Sequence, residues 1–227
     1  MLFLGKVSFM KVYNLPQKIS AFIFDIDSTL YTNPSYAYEQ VDCQIRQFAK
    51  ERGITADLAR EMVKDYRKKF AEENGGKKVS LGNTLKSFGV PISKSVEWRC
   101  ELLEPADFLS YNGELVKALT ELKTKAKLIC VTNNPVLPAR KTLEAIGIDK
   151  IIPDIVGLDT CLKSKPAIEP FNVAIKMLIV PIEECVAVGD RYDMDIALPL
   201  DMGMGGILVS GVQEVYEINN ICYNNCI

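Results

Sequence analysis

Asp25 and Asp27 stand two residues apart at the end of the apolar run Ile19-Ser20-Ala21-Phe22-Ile23-Phe24. Side chains at i and i+2 of a strand point the same way, so just past its end two carboxylates can converge on one small ligand. Such a pair can do nucleophilic and acid–base work. By itself, Asp-x-Asp is equally the composition of a solvated turn or a helix cap. Three further signals follow in chain order. Cys130-Val131-Thr132-Asn133-Asn134 ends an apolar run that starts near Lys127, and it offers hydroxyl, amide and backbone N–H donors. Lys165-Pro166 puts a cation on a constrained loop, and Ala187-Val188-Gly189-Asp190 ends another apolar run with Asp193 and Asp195 close behind.

The segments around these residues must be strands delivering them to one place. Leu115, Leu119 and Leu122 mark an amphipathic helix before a strand at residues 127–131, and Leu143 and Ile146 mark another helix ended by Gly147. Further strands are expected at 155–157, 185–189 and 206–209, with a helix over 171–178 between two of them. This alternation predicts an α/β, Rossmann-like, doubly wound and mostly parallel sheet. Ligands bind such sheets outside the carboxyl ends of the strands, where all four signals fall.

Residues 32–109 read as helices alone. A first, over 36–52, sets Val41, Ile45, Phe48 and Ala49 on one face, with Gly53 as its C-cap. Thr55 caps a second carrying Leu58, Met62, Tyr66 and Phe70, ending at Asn74-Gly75-Gly76. Leu81, Leu85 and Phe88 form a short third closed by Gly89. Ser93 caps a fourth in which Val96, Cys100 and Leu103 share a face, and Trp98 is assigned to the core. The expected organisation is a core of residues 1–31 and 110–227 with a helical domain, 32–109, inserted after the first strand.

At 227 residues and 48% hydrophobic content the chain can bury a core of its own. A net charge of −2 and a pI near 5.4 give no global basic surface for a nucleic acid polymer or an anionic membrane. No apolar stretch approaches the roughly 20 residues that span a bilayer. The short apolar run in Met1-Leu2-Phe3-Leu4-Gly5-Lys6 lacks a charged region before it, so it is read as mature or mis-started sequence, with Met10 as an alternative start. Seven cysteines without Cys-x-x-Cys spacing favour free thiols in a reducing cytoplasm. There is no histidine, which excludes a His-based triad and a His-ligated zinc.

The four signals in this order resemble the motifs of the haloacid dehalogenase (HAD)-like hydrolase superfamily: Asp-x-Asp-x-Thr, a strand-terminal Thr or Ser, a Lys, and Gly-Asp followed by another Asp. They run from Asp25 to Asp195, with Ser28 where many members carry Gly. The resemblance implies a phosphatase with a helical cap covering the site at the inserted segment. Asp25 would attack phosphorus to give an aspartyl-phosphate, and Asp27 would protonate the leaving oxygen and then activate water. Thr132, Asn133 and Lys165 would hold the phosphoryl oxygens, with Lys165 also neutralising Asp25. Asp25 and Asp190 would ligate Mg2+ through carboxylates and Asp27 through its backbone carbonyl, with Asp195 as the outer acid. A site of oxygen donors favours magnesium over zinc. Asp193 is assigned to a helix cap.

The expected partner is a small phosphorylated metabolite, for a monomer or homodimer. The run Asp25-Ile26-Asp27-Ser28-Thr29-Leu30-Tyr31 loosely resembles pyrimidine 5′-nucleotidases, which makes nucleoside monophosphates one candidate class and sugar phosphates another. Asp27 argues against the carbon–halogen branch, since halide leaves without a proton. A phosphomutase would keep every motif, and a non-catalytic Asp-phosphorylated switch is the rival from another class.

Overall fold

A computed structural model describes residues 10–224, which divide into two compact units. One comprises the described residues up to Asn33 together with those from Leu109 onward, and the other is Pro34–Phe108. The expectation for Met1–Lys6 lies outside the described residues.

The first unit is built on six strands: β1 (Lys11–Tyr13), β2 (Ala21–Phe24), β3 (Lys127–Val131), β4 (Ile155–Val156), β5 (Cys185–Gly189) and β6 (Gly205–Leu208). Their order across the sheet is β1-β6-β5-β2-β3-β4, parallel throughout except for β1, which runs antiparallel to β6 at one edge. Strand β1 has no counterpart in the sequence reading, because three residues with Lys11 and Val12 exposed carry no periodicity. Strand β2 is buried on both faces, as a central parallel strand requires. The chain lays β3 and β4 on one side of β2 and then crosses to β5 and β6 on the other, so the topological switch point falls between β2 and β5.

Register explains the convergence of the motifs. Phe24 lies opposite both Cys130 and Val188, so the residues that follow each strand emerge at one edge. Helices α5 (Gly113–Lys123), α6 (Val136–Ile146), α7 (Leu158–Cys161), α8 (Ile168–Leu178), α9 (Ala197–Asp201) and α10 (Val212–Val215) follow in turn along this unit. Phe171, Ala174 and Leu178 of α8 pack with Ile23, Ile129, Val131 and Val156 of the sheet. Burying each large apolar side chain of this kind contributes roughly 1.5–3 kcal/mol. Towards the end of the described residues Asn219 is buried and accepts from Lys125 Nζ, whose ammonium also lies over the Tyr223 ring.

The second unit contains α1 (Pro34–Arg52), α2 (Ala56–Glu73), α3 (Leu81–Ser87) and α4 (Ile92–Leu102). Ile45, Phe48, Ala59, Val63, Leu85 and Trp98 form its core. Thr55 caps α2 by accepting from Leu58 N at 3.2 Å, and Gly53 and Gly89 take the left-handed conformations that end a helix. Three sequence expectations need correction. The buried stripe of α2 is Ala59 and Val63 rather than the row begun by Leu58, which is 46% exposed. Val41 is exposed, and α1 buries Asp42, Cys43 and Gln44 instead. Helix α4 starts after Pro91, which leaves Ser93 inside it and not at its cap. Among the described residues no helix is long and apolar enough to cross a membrane.

Candidate active site

The tip of β2 delivers Asp25, whose backbone N–H continues the β2–β5 pairing by donating to Val188 O at 2.8 Å. Its Oδ1 lies 2.6 Å from Lys165 Nζ, and its Oδ2 accepts from Thr29 Oγ1 at 3.3 Å. The same ammonium lies 2.6 Å from Asp195 Oδ1. Lys165 is only 3% exposed, so its two partners are nearly desolvated with it. Charge-assisted pairs of this length are among the stronger interactions available to a protein.

Asp190 completes the acidic group. Carboxylate oxygens of Asp25, Asp190 and Asp195 lie within 4.8 Å of one another, a span a single cation could bridge. Asp195 gets there on the π-helical turn Tyr192–Ile196, where its Oδ2 accepts from the Arg191 N–H at 3.0 Å. Gly189 leaves the room: a Cβ there would come within 2.3 Å of Asp195 Cβ. Asp193 stays outside the cluster, paired with Arg191 at 3.1 Å on the surface.

The residues after β3 act as struts. Asn133 Oδ1 accepts from Lys165 N at 2.7 Å and its Nδ2 donates to Lys165 O at 3.3 Å, so this amide grips the main chain of the buried lysine. Its side chain is thus engaged with the residue expected to share the phosphate with it. Thr132, also buried, accepts from Asn134 N at 3.1 Å, and its Oγ1 lies 3.5 Å from Asp27 Oδ2. Asp27 receives a hydrogen bond on each oxygen: Tyr31 OH donates to Oδ1 at 2.6 Å and Asn134 Nδ2 to Oδ2 at 2.8 Å. Between Asp27 and Tyr31 the chain turns through Ser28 at φ 62, a left-handed conformation that costs a non-glycine residue roughly 1–2 kcal/mol.

All the expected site residues therefore converge at the carboxyl edge of the sheet. Sequence reading missed the supports. Nothing in the Asp25–Tyr31 run shows that the Tyr31 hydroxyl meets Asp27, and Asn134 reads only as a strand-end donor. Gly157, where an added Cβ would meet Asn134 O at 2.8 Å, gave no signal beyond a glycine at a strand end.

Electrostatics follow from burial. Desolvation pushes the Asp25 carboxyl up to about 8; the Lys165 ammonium pulls the other way, while Asp195 and Asp27 add repulsion. Burial, followed by repulsion from Asp195, raises Asp190 to about 6. Burial alone would depress Lys165, but Asp25 and Asp195 outweigh it and hold the ammonium above its ordinary value. Ionising all three carboxyl groups needs more positive charge than one ammonium supplies, and the donors are all hard oxygens. That is a set suited to a divalent cation.

A family model described as haloacid dehalogenase-like hydrolase matches residues 19–202. The glyceraldehyde 3-phosphate phosphatase of Methanocaldococcus jannaschii is 24% identical over 196 residues, 82% of either chain. The phosphoglycolate phosphatase of Colwellia psychrerythraea is 33% identical over 78 residues, which is 34% of either chain. Among solved structures, a HAD phosphatase from Thermococcus onnurineus covers 92% of this chain and 100% of its own, at 20% identity and a TM-score of 0.61, and so shares the fold. With the family match spanning most of its length and the sheet of the same architecture, the chain belongs to the haloacid dehalogenase-like hydrolases.

Proposed function

We propose that this enzyme is a Mg2+-dependent phosphomonoester hydrolase working through an aspartyl-phosphate on Asp25. The observation that carries the reading is the buried Lys165 ammonium, 2.6 Å from both Asp25 and Asp195, with Asp190 completing an oxygen cage. In this reading Asp25 attacks phosphorus and the bond to the leaving oxygen breaks. Asp27 gives that oxygen its proton, then takes one from the water that hydrolyses the intermediate. Lys165 and Thr132 counter charge on the phosphoryl oxygens, and Asn133 contributes by holding the Lys165 main chain.

The residues that would hold Mg2+ are Asp25, Asp190 and Asp195, with the Asp27 carbonyl. Bound there, the ion would supply positive charge beside the phosphoryl group and the nucleophile. The donor set fits it, being all oxygen and under-compensated by Lys165 alone.

The substrate class we assign is a small phosphorylated metabolite. The relatives named for glyceraldehyde 3-phosphate and phosphoglycolate support short-chain phosphate esters, and nucleoside monophosphates remain a candidate on the Asp25–Tyr31 run. The Pro34–Phe108 unit, which leaves the chain directly after that run, is read as a cap that excludes water. A cytoplasmic setting belongs to the same proposal, supported by buried thiols such as Cys43, Cys130 and Cys185 that stay outside disulfides.

The test is phosphate release from a panel of short-chain, sugar and nucleoside phosphates, with Mg2+ and with EDTA. Release that needs both the metal and Asp25, lost in Asp25→Asn, is the expected result. Inactivity over the panel together with isomerisation of a sugar phosphate would convert the reading to a mutase. A stable aspartyl-phosphate without turnover would point to the switch.

A further inference from the structure

We propose that Tyr31 and Asn134 are positioning residues that jointly fix the plane of the Asp27 carboxylate, and so set the direction in which it delivers its proton. The inference rests on the reading of Asp27 as the acid for the leaving oxygen. The terminal torsion of an aspartate is broad, because rotation about an sp³–sp² bond has no sharp staggered wells. A carboxylate near the surface therefore has no preferred plane unless its oxygens are held separately. Here they are: Tyr31 OH donates to Oδ1 at 2.6 Å, and Asn134 Nδ2 donates to Oδ2 at 2.8 Å.

The two donors come from different parts of the chain, and each is anchored. Tyr31 is 4% exposed and sits four residues beyond Asp27, on the far side of the left-handed turn at Ser28. Asn134 follows the tip of β3, more than a hundred residues away in sequence. Its backbone N–H donates to Thr132 Oγ1 at 3.1 Å, and its carbonyl accepts from Leu158 N at 2.9 Å. The absence of a side chain at Gly157 permits that last contact, since a Cβ would lie 2.8 Å from Asn134 O. Catalytic groups misplaced by about 1 Å can lose on the order of 10²-fold in rate, which gives such a clamp its value.

A buried tyrosine also seeks any acceptor within reach simply to satisfy its hydroxyl. Dependence on the leaving group separates the two roles. An aryl phosphate releases a stabilised phenolate with little help from an acid, whereas an alkyl phosphate releases an alkoxide that needs the proton. The experiment measures kcat/KM, which covers the first phosphoryl transfer, for wild type, Tyr31→Phe, Asn134→Ala and Asp27→Asn. The probes are p-nitrophenyl phosphate and the alkyl phosphate hydrolysed fastest in the panel above, with Mg2+ saturating. Thermal unfolding confirms that each variant is folded.

We expect Tyr31→Phe and Asn134→Ala to lose about tenfold or more on the alkyl ester and less than about threefold on the aryl ester, mainly in kcat. Asp27→Asn should show the same selectivity, enlarged towards the 10²–10⁴-fold typical of a lost general acid. Equal losses on both esters, or none on either, would overturn the clamp. If Asp27→Asn discriminates between the esters and the clamp variants do not, only the positioning role falls. If Asp27→Asn itself fails to discriminate, the acid role of Asp27 falls and the clamp with it.

Discussion

Two regions of this protein bury an aspartate among cations, and they do so with opposite balance. In the helical unit Asp42, 3% exposed, accepts from Arg60 Nε at 2.7 Å and Arg60 Nη2 at 2.9 Å, and pairs with Arg46 one turn along α1. Asp42 thus meets two guanidinium groups, each of which also pairs with a more exposed acid, Arg46 with Glu39 and Arg60 with Asp57. These hydrogen bonds, Arg60 foremost, outweigh desolvation and hold its carboxyl down near 2. At the strand tips Asp25 and Asp195 share a single ammonium with Asp190 beside them, and burial drives Asp25 and Asp190 up. An over-compensated carboxylate is inert and structural, while an under-compensated group invites a further cation and an electrophile.

Breaking the strand-tip balance should have the largest effect. Lys165→Met leaves Asp25 and Asp195 buried with no ammonium between them. We expect phosphate release to fall by about 10²–10³-fold or more, measured as kcat/KM. Urea unfolding should show a loss of roughly 3 kcal/mol where the carboxylates stay charged.

Acid–base linkage sharpens the contrast, because the two regions must respond to pH with opposite sign. The folded Asp42 carboxyl, near 2, lies below the ordinary 3.8, so the folded state holds that proton less tightly than the unfolded chain. Its contribution is complete above about pH 4 and disappears as pH falls through 2. Asp42→Asn should therefore remove about 1–2 kcal/mol at pH 7, discounted for the partly exposed arginines, and flatten the acid limb of a urea-midpoint profile. Hydrolysis of p-nitrophenyl phosphate should change by less than about threefold.

Asp190 behaves the other way. Raised to about 6, it binds a proton more tightly in the folded state, so its stabilising effect is present below about pH 4 and lost as pH climbs through 6. Metal-free protein should accordingly weaken between pH 4 and 7, and millimolar Mg2+ should raise the thermal midpoint at pH 8 by more than at pH 5. A Mg2+ shift that is equal at both pH values would break the comparison.

The smallest effect concerns Arg67, whose half-buried guanidinium carries an Nε with no hydrogen-bond partner among the described residues and is shifted by desolvation alone. Within the same helical unit it is the counter-example to Arg60. Arg67→Met should stabilise the fold by about 0.5–1 kcal/mol in urea unfolding, whereas Arg60→Met should destabilise it.

Much of this was legible from residue types. The apolar runs ending in Asp25, Thr132 and Asp190 marked central strands, and the leucine spacing of α5 and the cap at Thr55 appear where periodicity put them. The face of α2 was misjudged by one residue because Leu58, Met62, Tyr66 and Phe70 form a more hydrophobic row than Ala59 and Val63. Ala59 and Val63 share a buried cluster with Ile45, Phe48 and Ala49 of α1, and no local pattern in α2 carries that information. Similarly, nothing local to Asn133 shows that its side-chain amide meets the Lys165 main chain.

The sequence by itself determined the chemical inventory: acids, one lysine and hydroxyl donors at strand ends, with no imidazole to share the work. Side-chain type and periodicity are local properties and can be read along the chain. Only the tertiary structure decided which oxygen meets which nitrogen, as with Lys165 and Asp25, 140 residues apart, or Asn134 and Asp27, 107 apart. Those meetings depend on sheet register and on the room left at Gly157 and Gly189. Both are set by the packing of the whole unit rather than by any one segment.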